Sequence, residues 1–166
     1  MKYSTSSIKE RVTFRLADKD DAYEVARLLG AYMQETDWKR YVEFNISQAV
    51  HYVFTNIVSG NSPYLLAFER DGGAIIGIAS WHIARNFSFR PIAIMDELWV
   101  RTDYRRSALG RMLVFLMVDL MAKENSCVIH APVASGLAEA RTLKNLFKKM
   151  GFHEFGYIMR KGFSHE

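Results

Sequence analysis

Two adjacent carboxylates, Asp96 and Glu97, lie within the otherwise apolar run Ile92–Val100. A carboxylate that faces a cleft can act as a general base and remove a proton from a reacting group. Successive side chains of a strand point to opposite faces, so we expect only one of the two to face a cleft. Either residue is a candidate catalytic base. The alternative interpretation is that both are solvated or pair with Arg101 and Arg105.

A basic turn of small residues follows the same run. Arg105 and Arg106 precede Ser107, and Arg111 lies in the first turn of the predicted helix. The free N–H groups of a helix N-terminus bind anions, and small residues let phosphate oxygens approach the backbone. The turn therefore predicts a phosphate-binding site, although a solvated basic turn would have the same composition. Neither the P-loop pattern nor the dinucleotide-binding glycine pattern is present.

Hydrophobic periodicity predicts the elements that position these residues. The predicted order is β-α-α-β-β-β-α-β-α-β, with strands at 12–16, 64–70, 74–84, 92–100, 127–133 and 152–163. Helices are expected at 22–33, 46–57, 107–125 and 135–150. The third helix is apolar almost all round, which predicts burial on every side. Gly77, inside a strand, indicates a bulge or a close approach of two chain segments.

The composition is that of an ordinary globular protein. The 166 residues are 49% hydrophobic and 24% charged. This length and composition predict a single domain that spans residues 1–166 and includes a polar tail at 1–11. The single cysteine, Cys127, excludes an internal disulfide framework and indicates an inert core thiol in a reducing compartment. No signal peptide and no membrane-spanning run is visible, so we expect a cytoplasmic protein. The net charge of +4 favours an anionic partner.

Two local motifs resemble those of the GNAT N-acetyltransferase family. Residues 100–113 resemble its pyrophosphate-binding motif, a strand-end valine followed by Tyr-Arg and Arg-x-x-Gly-x-Gly. Its last six positions are here Arg105, Arg106, Ser107, Ala108, Leu109 and Gly110. Residues 146–152 resemble the family's C-terminal signature Leu-Tyr-x-Lys-x-Gly-Phe. The order of helices and strands also matches, so the resemblance covers nearly the whole chain.

The resemblance implies an α/β (α+β) fold with a central mixed, mostly antiparallel sheet of six to seven strands and helices on both faces. It also implies transfer of an acetyl group from acetyl-CoA to a primary amine of a small molecule or protein, by direct attack. A backbone N–H near the end of the fourth strand would stabilise the oxyanion. The implied cofactor-binding residues are Leu98, Trp99, Val100, Arg105, Arg106, Ser107, Ala108, Leu109, Gly110 and Arg111.

The chain departs from the family pattern at two positions. Ala108 replaces the first glycine of the pyrophosphate motif, and Phe147 replaces the tyrosine that usually protonates the departing thiolate. Substitute donors are water, Tyr104, Tyr157 and Ser135. These departures leave an alternative function open, a catalytically weak or inactive GNAT-fold module that binds acyl-CoA or acts by interaction.

The acceptor is less defined. Residues 96–105 are similar to the diamine (spermidine/spermine) acetyltransferase branch, in which the position of Asp96 holds the acidic residue usually proposed as base. The family places its acceptor site near the first loop and the third strand, which suggests Trp38 and Trp81 as substrate-binding residues. His130, at the end of the fifth strand and near the expected cleft, is a third candidate.

Metal ions, nucleic acid and membranes are not expected as main partners. The histidines show no metal-ligand spacing, so no metal is expected. A polyphosphate cofactor already explains the basic residues at 101–111, so nucleic-acid binding is not expected as the main function. No membrane partner is expected, and a homodimer, common in the family, stays open.

Overall fold

The computed structural model describes residues 11–36, 39, 43–70, 73–84, 91–123, 128–132 and 140–154. Its elements follow the predicted order. In chain order they are β1 (Val12–Leu16), α1 (Ala22–Glu35), α2 (Ile46–Ser59), β2 (Tyr64–Glu69), β3 (Ile75–Ala84), β4 (Ile92–Val100), α3 (Leu109–Lys123), β5 (Val128–His130) and α4 (Ala140–Lys149). The last predicted strand, at 152–163, is irregular at 152–154 and otherwise lies outside the described residues.

A mixed sheet forms the middle layer. The described residues contribute five strands in the order β1-β2-β3-β4-β5. Neighbours from β1 to β4 are antiparallel, whereas β4 and β5 run parallel and pair over Ile92–Ile94 and Val128–His130. The predicted fold class is therefore confirmed, with one to two strands fewer in the described part than the predicted six to seven.

Strand alternation divides the core between the two faces of the sheet. On the face that we call the α3 face, strand residues pack against Leu109, Leu113 and Met117; these strand residues include Leu65, Ala67, Ala79, Trp81, Ala93 and Met95. On the opposite face, the α1/α2 face, strand residues pack against Val25, Ala26 and Val53; these include Tyr64, Leu66, Ile78 and Trp99. Helices thus cover both faces, as predicted.

Local signals in the sequence set the helix ends. Asp18 forms a capping box with the 3-10 turn Lys19–Asp21 that leads into α1. Asn45 caps α2 by accepting a hydrogen bond from the N–H of Gln48 at 3.1 Å. Gly60, at φ 68°, ends α2 in the left-handed conformation that glycine adopts without strain.

Gly77 combines both features that its place in a strand predicts. The pairing of β2 and β3 shifts between Ala67 and Phe68, so that Ile76 is an extra residue on β3. A Cβ atom on Gly77 would lie 2.7 Å from Cδ1 of Leu113. Only a residue without a side chain lets α3 pack this closely on the sheet.

The prediction that α3 is buried on every side is wrong for its outer surface. Phe115 is 51% exposed and Leu116 is 36% exposed, because the helix lies on one side of the sheet and turns these residues away from it. Within the described ranges, no helix combines the length and apolarity needed to cross a membrane.

Candidate active site

A β-bulge at Asp96 changes the faces that the β4 side chains occupy. Ser80 of β3 pairs with Glu97, but the next residue, Trp81, pairs with Met95, so Asp96 is an extra residue without a cross-strand partner. Met95 packs on the α3 face, and so does Leu98, three residues later. The two residues between them, Asp96 and Glu97, therefore share the α1/α2 face. The expectation that alternation lets only one carboxylate face a cleft is wrong, because the bulge interrupts the alternation.

Three polar side chains form a row across the sheet beside this bulge. Tyr64 of β2 pairs with Ser80 of β3, which pairs with Glu97 of β4. Directly opposed residues of antiparallel strands project to the same face, so all three lie on the α1/α2 face. The Ser80 side chain is buried, and its Oγ has no hydrogen-bond partner in the described part of the chain.

His82 contacts the carboxylate of Asp96. Its Nδ1 lies 2.8 Å from both Oδ1 and Oδ2 of Asp96. His82 pairs with Ile94, which in turn pairs with His130 of β5. The carboxylates and His82 thus lie together on the α1/α2 face, with exposed His130 at the end of the same row.

Glu97 titrates in the neutral range. Burial raises the pKa of its carboxyl from 4.5 to about 7, and the nearby negative charge of Asp96 acts in the same direction. A carboxylate with such a pKa holds or releases a proton at neutral pH with little free-energy cost. It meets the electrostatic requirement for a general base.

No described strand pairs with the outer edge of β4 next to these carboxylates. β5 pairs with β4 only as far as Ile94, although β4 continues to Val100. The parallel ladder cannot extend through Pro132, which has no N–H to donate. Backbone groups of Leu98 therefore border an edge that no described strand covers.

The basic turn connects β4 to the N-terminus of α3. Ser107 caps this helix: its Oγ accepts a hydrogen bond from the N–H of Leu109 at 3.1 Å and donates one to the carbonyl of Tyr104 at 2.6 Å. The other N–H groups of the first turn, at Gly110 and Arg111, have no intrahelical partner. A Cβ on Gly110 would contact only Val100, at 3.6 Å, so the backbone here is accessible.

The arginines of the turn differ in their contacts. Arg105 donates from Nε to the carbonyl of Val100 at 2.9 Å and forms an ion pair with Glu35 at the end of α1. Arg101 pairs with Asp103 and Glu69. In the described ranges, neither arginine pairs with Asp96 or Glu97, so the part of the alternative interpretation that pairs them is wrong.

The remaining basic residues of the turn are Arg106 and Arg111. Both are exposed, and no ion pair to either is found within the described residues. Together with the accessible first turn of α3, they form a positively charged surface that a phosphate group would fit.

Of the candidate donor side chains, the structure describes Tyr104 alone. Tyr104 donates its hydroxyl hydrogen to Glu69 at 2.6 Å, and this bond raises its pKa to about 12. Phe147 is a core residue, 6% exposed, with its ring 5.1 Å from that of Phe152. Ser135 and Tyr157 lie outside the described residues, as does Cys127.

Of the suggested acceptor contacts, the structure describes Trp81 and His130, which lie on opposite faces of the sheet. Trp81 is fully buried on the α3 face, on the opposite side of the sheet from Glu97, so its side chain does not line the carboxylate cluster. Trp38 lies outside the described residues. His130 is exposed and in register with the row that contains His82. Among the described residues, no group of three or more histidine, cysteine or acidic side chains could hold a metal ion.

Sequence reasoning did not select Tyr64, Ser80 or Glu35. A serine inside the apolar strand Ile75–Ala84 was a detectable signal, because a buried hydroxyl needs a reason. Tyr64 and Glu35 had no such signal, since their roles arise from strand pairing and from a contact across the fold.

Comparison with known proteins supplies the family. The sequence profile of the acetyltransferase (GNAT) family matches residues 30–152. No curated protein sequence matches the chain significantly.

Solved structures of similar fold cover almost the whole chain. A possible acetyltransferase from Clostridium difficile 630 has 14% identity and a TM-score of 0.73, over 94% of this chain and 99% of that one. A ribosomal-protein-alanine N-acetyltransferase from Brucella melitensis biovar Abortus 2308 has 18% identity and a TM-score of 0.66, over 91% and 99% of the two chains. An aminoglycoside acetyltransferase from an uncultured soil metagenomic sample, in complex with sisomicin, has 11% identity and a TM-score of 0.71, over 96% and 99%. At these identities the likeness concerns the fold, whereas the profile match spans most of the sequence: the chain belongs to the GNAT acetyltransferase family.

Proposed function

We propose that this chain is an N-acetyltransferase that transfers an acetyl group from acetyl-CoA to a primary amine of a small molecule or protein by direct attack. One observation carries the proposal. Glu97, with a pKa of about 7, lies beside Asp96 at a stretch of β4 whose outer edge no described strand covers. A base poised at neutral pH, next to an exposed strand edge, is what aminolysis of a thioester requires.

Glu97 acts as the base. A primary amine with a pKa near that of lysine, about 10.4, is almost fully protonated at neutral pH and cannot attack. Glu97 accepts this proton, directly or through water, and the ionised Asp96 favours the approach of the cation. Because Asp96 lies on the same face, it is the second candidate base.

The residues around the basic turn hold the acyl donor. The N–H groups at the start of α3, with exposed Arg106 and Arg111, bind the pyrophosphate. Gly110, where an added Cβ would contact only Val100, leaves room for its oxygens. When bound, acetyl-CoA supplies an acyl group activated as a thioester. A backbone N–H on the open edge of β4, near Leu98, Trp99 and Val100, donates to the acyl oxygen.

Arg105 has a different role. Its guanidinium already binds the carbonyl of Val100 and the carboxylate of Glu35, so it fixes the turn against α1. We assign to Arg105 the positioning of the phosphate site.

The thiolate of the acyl donor leaves as an anion. Solvent protonates it, because Phe147 replaces the tyrosine that would donate the proton.

The acceptor remains a class rather than a compound. Two structural relatives are an aminoglycoside acetyltransferase and a ribosomal-protein-alanine N-acetyltransferase, so small-molecule and protein amines are both candidates. His130, exposed in the row of His82, is a candidate contact for the acceptor. The single cysteine favours the reducing cytoplasm as the location.

Calorimetry with acetyl-CoA tests the donor site, with Arg106→Ala as the phosphate-site variant and Lys123→Ala, on the far end of α3, as the matched control. We expect binding that weakens by about tenfold in the first variant only. Thiol release against a panel of primary amines then tests transfer. Absence of acetyl-CoA binding by the wild-type protein would contradict the proposal.

A second function is favoured by one observation. Phe147 is a core residue without a hydroxyl group, so the position that usually supplies the acid cannot do so. A GNAT-fold module that binds acyl-CoA with slow or no turnover would show tight binding in calorimetry and no thiol release with any amine.

A further inference from the structure

We propose that His82 is a positioning residue, whose ring holds the Asp96 carboxylate in the bulge beside Glu97 and thereby controls when Glu97 can accept a proton. The inference rests on the proposed function, in which Glu97 is the base. It adds a residue on a different strand, β3, to the catalytic arrangement.

The geometry of the bulge makes Asp96 dependent on His82. As the extra residue of β4, Asp96 has no partner on β3 that would fix its side chain in register. Within the described residues, the side chain of Asp96 bonds to His82, whose Nδ1 lies 2.8 Å from both carboxylate oxygens. Both side chains are about one-third exposed, at 38% and 32%, so without this bond Asp96 is free to turn into solvent.

The position of Asp96 matters because its charge acts on Glu97. Burial of Glu97 is the largest cause of its raised pKa, and the negative charge of Asp96 is the second. Coulomb interactions weaken steeply when one charge moves into water, where the dielectric constant is high. Release of Asp96 should therefore lower the pKa of Glu97 and make it a weaker base.

Other titratable groups border the cluster. Tyr64 faces Glu97 from β2, and its pKa is raised by burial, so it stays neutral at physiological pH. Tyr52 of α2 interacts electrostatically with Tyr64, and His130 of β5 ends the row of His82. These groups are common to every variant below, so they do not account for differences between the variants.

Three substitutions separate a hydrogen bond at Nδ1 from other effects. His82→Asn can place an amide N–H near the position of Nδ1, and His82→Gln places it near Nε2 instead. His82→Ala removes both nitrogens. The thermal midpoint of each variant reports whether it folds, which we expect because His82 is partly exposed.

The direct measurement is the titration of Glu97 by carboxyl ¹³C NMR in the protein without substrate. In His82→Ala and His82→Gln, we expect the midpoint to fall by about 0.5 pH unit or more, with His82→Asn close to wild type. The acid limb of kcat/KM should shift by the same amount in the same variants. An unchanged Glu97 titration in His82→Ala, or equal shifts in His82→Asn and His82→Ala, would overturn the inference.

The two readouts also separate this inference from the proposed function. If the NMR midpoint shifts as expected while the wild-type protein releases no thiol with any amine, acetyl transfer is refuted and the catalytic role of His82 falls with it. If the wild-type protein is active and the midpoint does not move, only the role of His82 is refuted.

Discussion

Asp96 and Glu97 are adjacent in the chain and lie on the same face of the sheet. The bulge that makes this possible places Glu97 opposite Ser80 and leaves Asp96 to bond with His82. Two carboxylates of different burial thus share one surface. Their separate environments, with Glu97 partly buried and Asp96 exposed, suit them to different tasks.

The charge of Asp96 should set the working pH of Glu97. In Asp96→Asn the negative neighbour is removed, so the pKa of Glu97, now raised to about 7, should fall. We expect the acid limb of the kcat/KM profile to move to lower pH by about half a unit, with a modest loss of rate. A profile that loses its acid limb entirely would instead identify Asp96 as the base.

Protein stability should fall as pH rises through the range in which Glu97 loses its proton. The folded-state pKa of about 7 exceeds the ordinary value of 4.5, so the folded state binds more protons between these values. Glu97→Gln, which resembles the protonated form, should be more stable than wild type above pH 7 by on the order of 1 kcal/mol. The difference should vanish near pH 4.5, as measured by urea unfolding at several pH values; a constant difference would contradict the raised pKa.

Side-chain size at Gly110 should control donor binding without affecting the fold. A Cβ at this position would make an ordinary contact with Val100 at 3.6 Å, so Gly110→Ala should fold normally. Gly110→Val projects further into the space above the first turn of α3 and should weaken acetyl-CoA binding by about tenfold or more. Calorimetry on both variants is the measurement, and equal affinities would exclude this surface as the phosphate site.

Arg105 should contribute to stability as well as to binding. Its bonds to the Val100 carbonyl and to Glu35 join the turn to α1, and we expect Arg105→Ala to cost about 1–2 kcal/mol. Arg106→Ala, at an exposed position, should leave the unfolding midpoint unchanged. Urea unfolding of the pair distinguishes them, and two equally stable variants would argue against the positioning role.

Gly77 should be intolerant of any side chain. A Cβ 2.7 Å from Leu113 Cδ1 lies inside the contact distance of two carbon atoms, and Leu113 is fully buried. We expect Gly77→Ala to destabilise the protein by about 1–3 kcal/mol. A Cβ on Gly60 would meet no atom of the described residues within 4 Å, but Gly60 has a positive φ of 68°. Gly60→Ala therefore tests backbone strain alone and serves for comparison in the same thermal unfolding experiment.

The strands that could be predicted from the sequence are those whose ends are marked by neighbouring residues. β4 spans Ile92–Val100 as expected, because Pro91 precedes its apolar run and the basic turn begins at Arg101. The cap at Asp18 and the helix end at Gly60 are local features of the same kind, since capping depends on neighbouring residues.

The arrangement of the site depends on contacts between distant parts of the chain, which local sequence patterns do not reveal. The bulge at Asp96 depends on how β4 pairs with β3, and strand register is set by tertiary packing rather than by the strand itself. The contact of Arg105 with Glu35 joins residues that are 70 positions apart. Periodicity therefore identified the carboxylates but assigned them to opposite faces.

The measurement that tests the central claim most directly is acetyl-CoA-dependent thiol release, followed as a function of pH in wild type and Glu97→Gln with an amine from the panel. We expect the wild-type kcat/KM to rise with pH to an inflection near 7, as Glu97 loses its proton. In Glu97→Gln, kcat/KM should fall by about 10²–10⁴-fold and the inflection should disappear. A variant that retains the wild-type rate and inflection would contradict the assignment of Glu97 as the base.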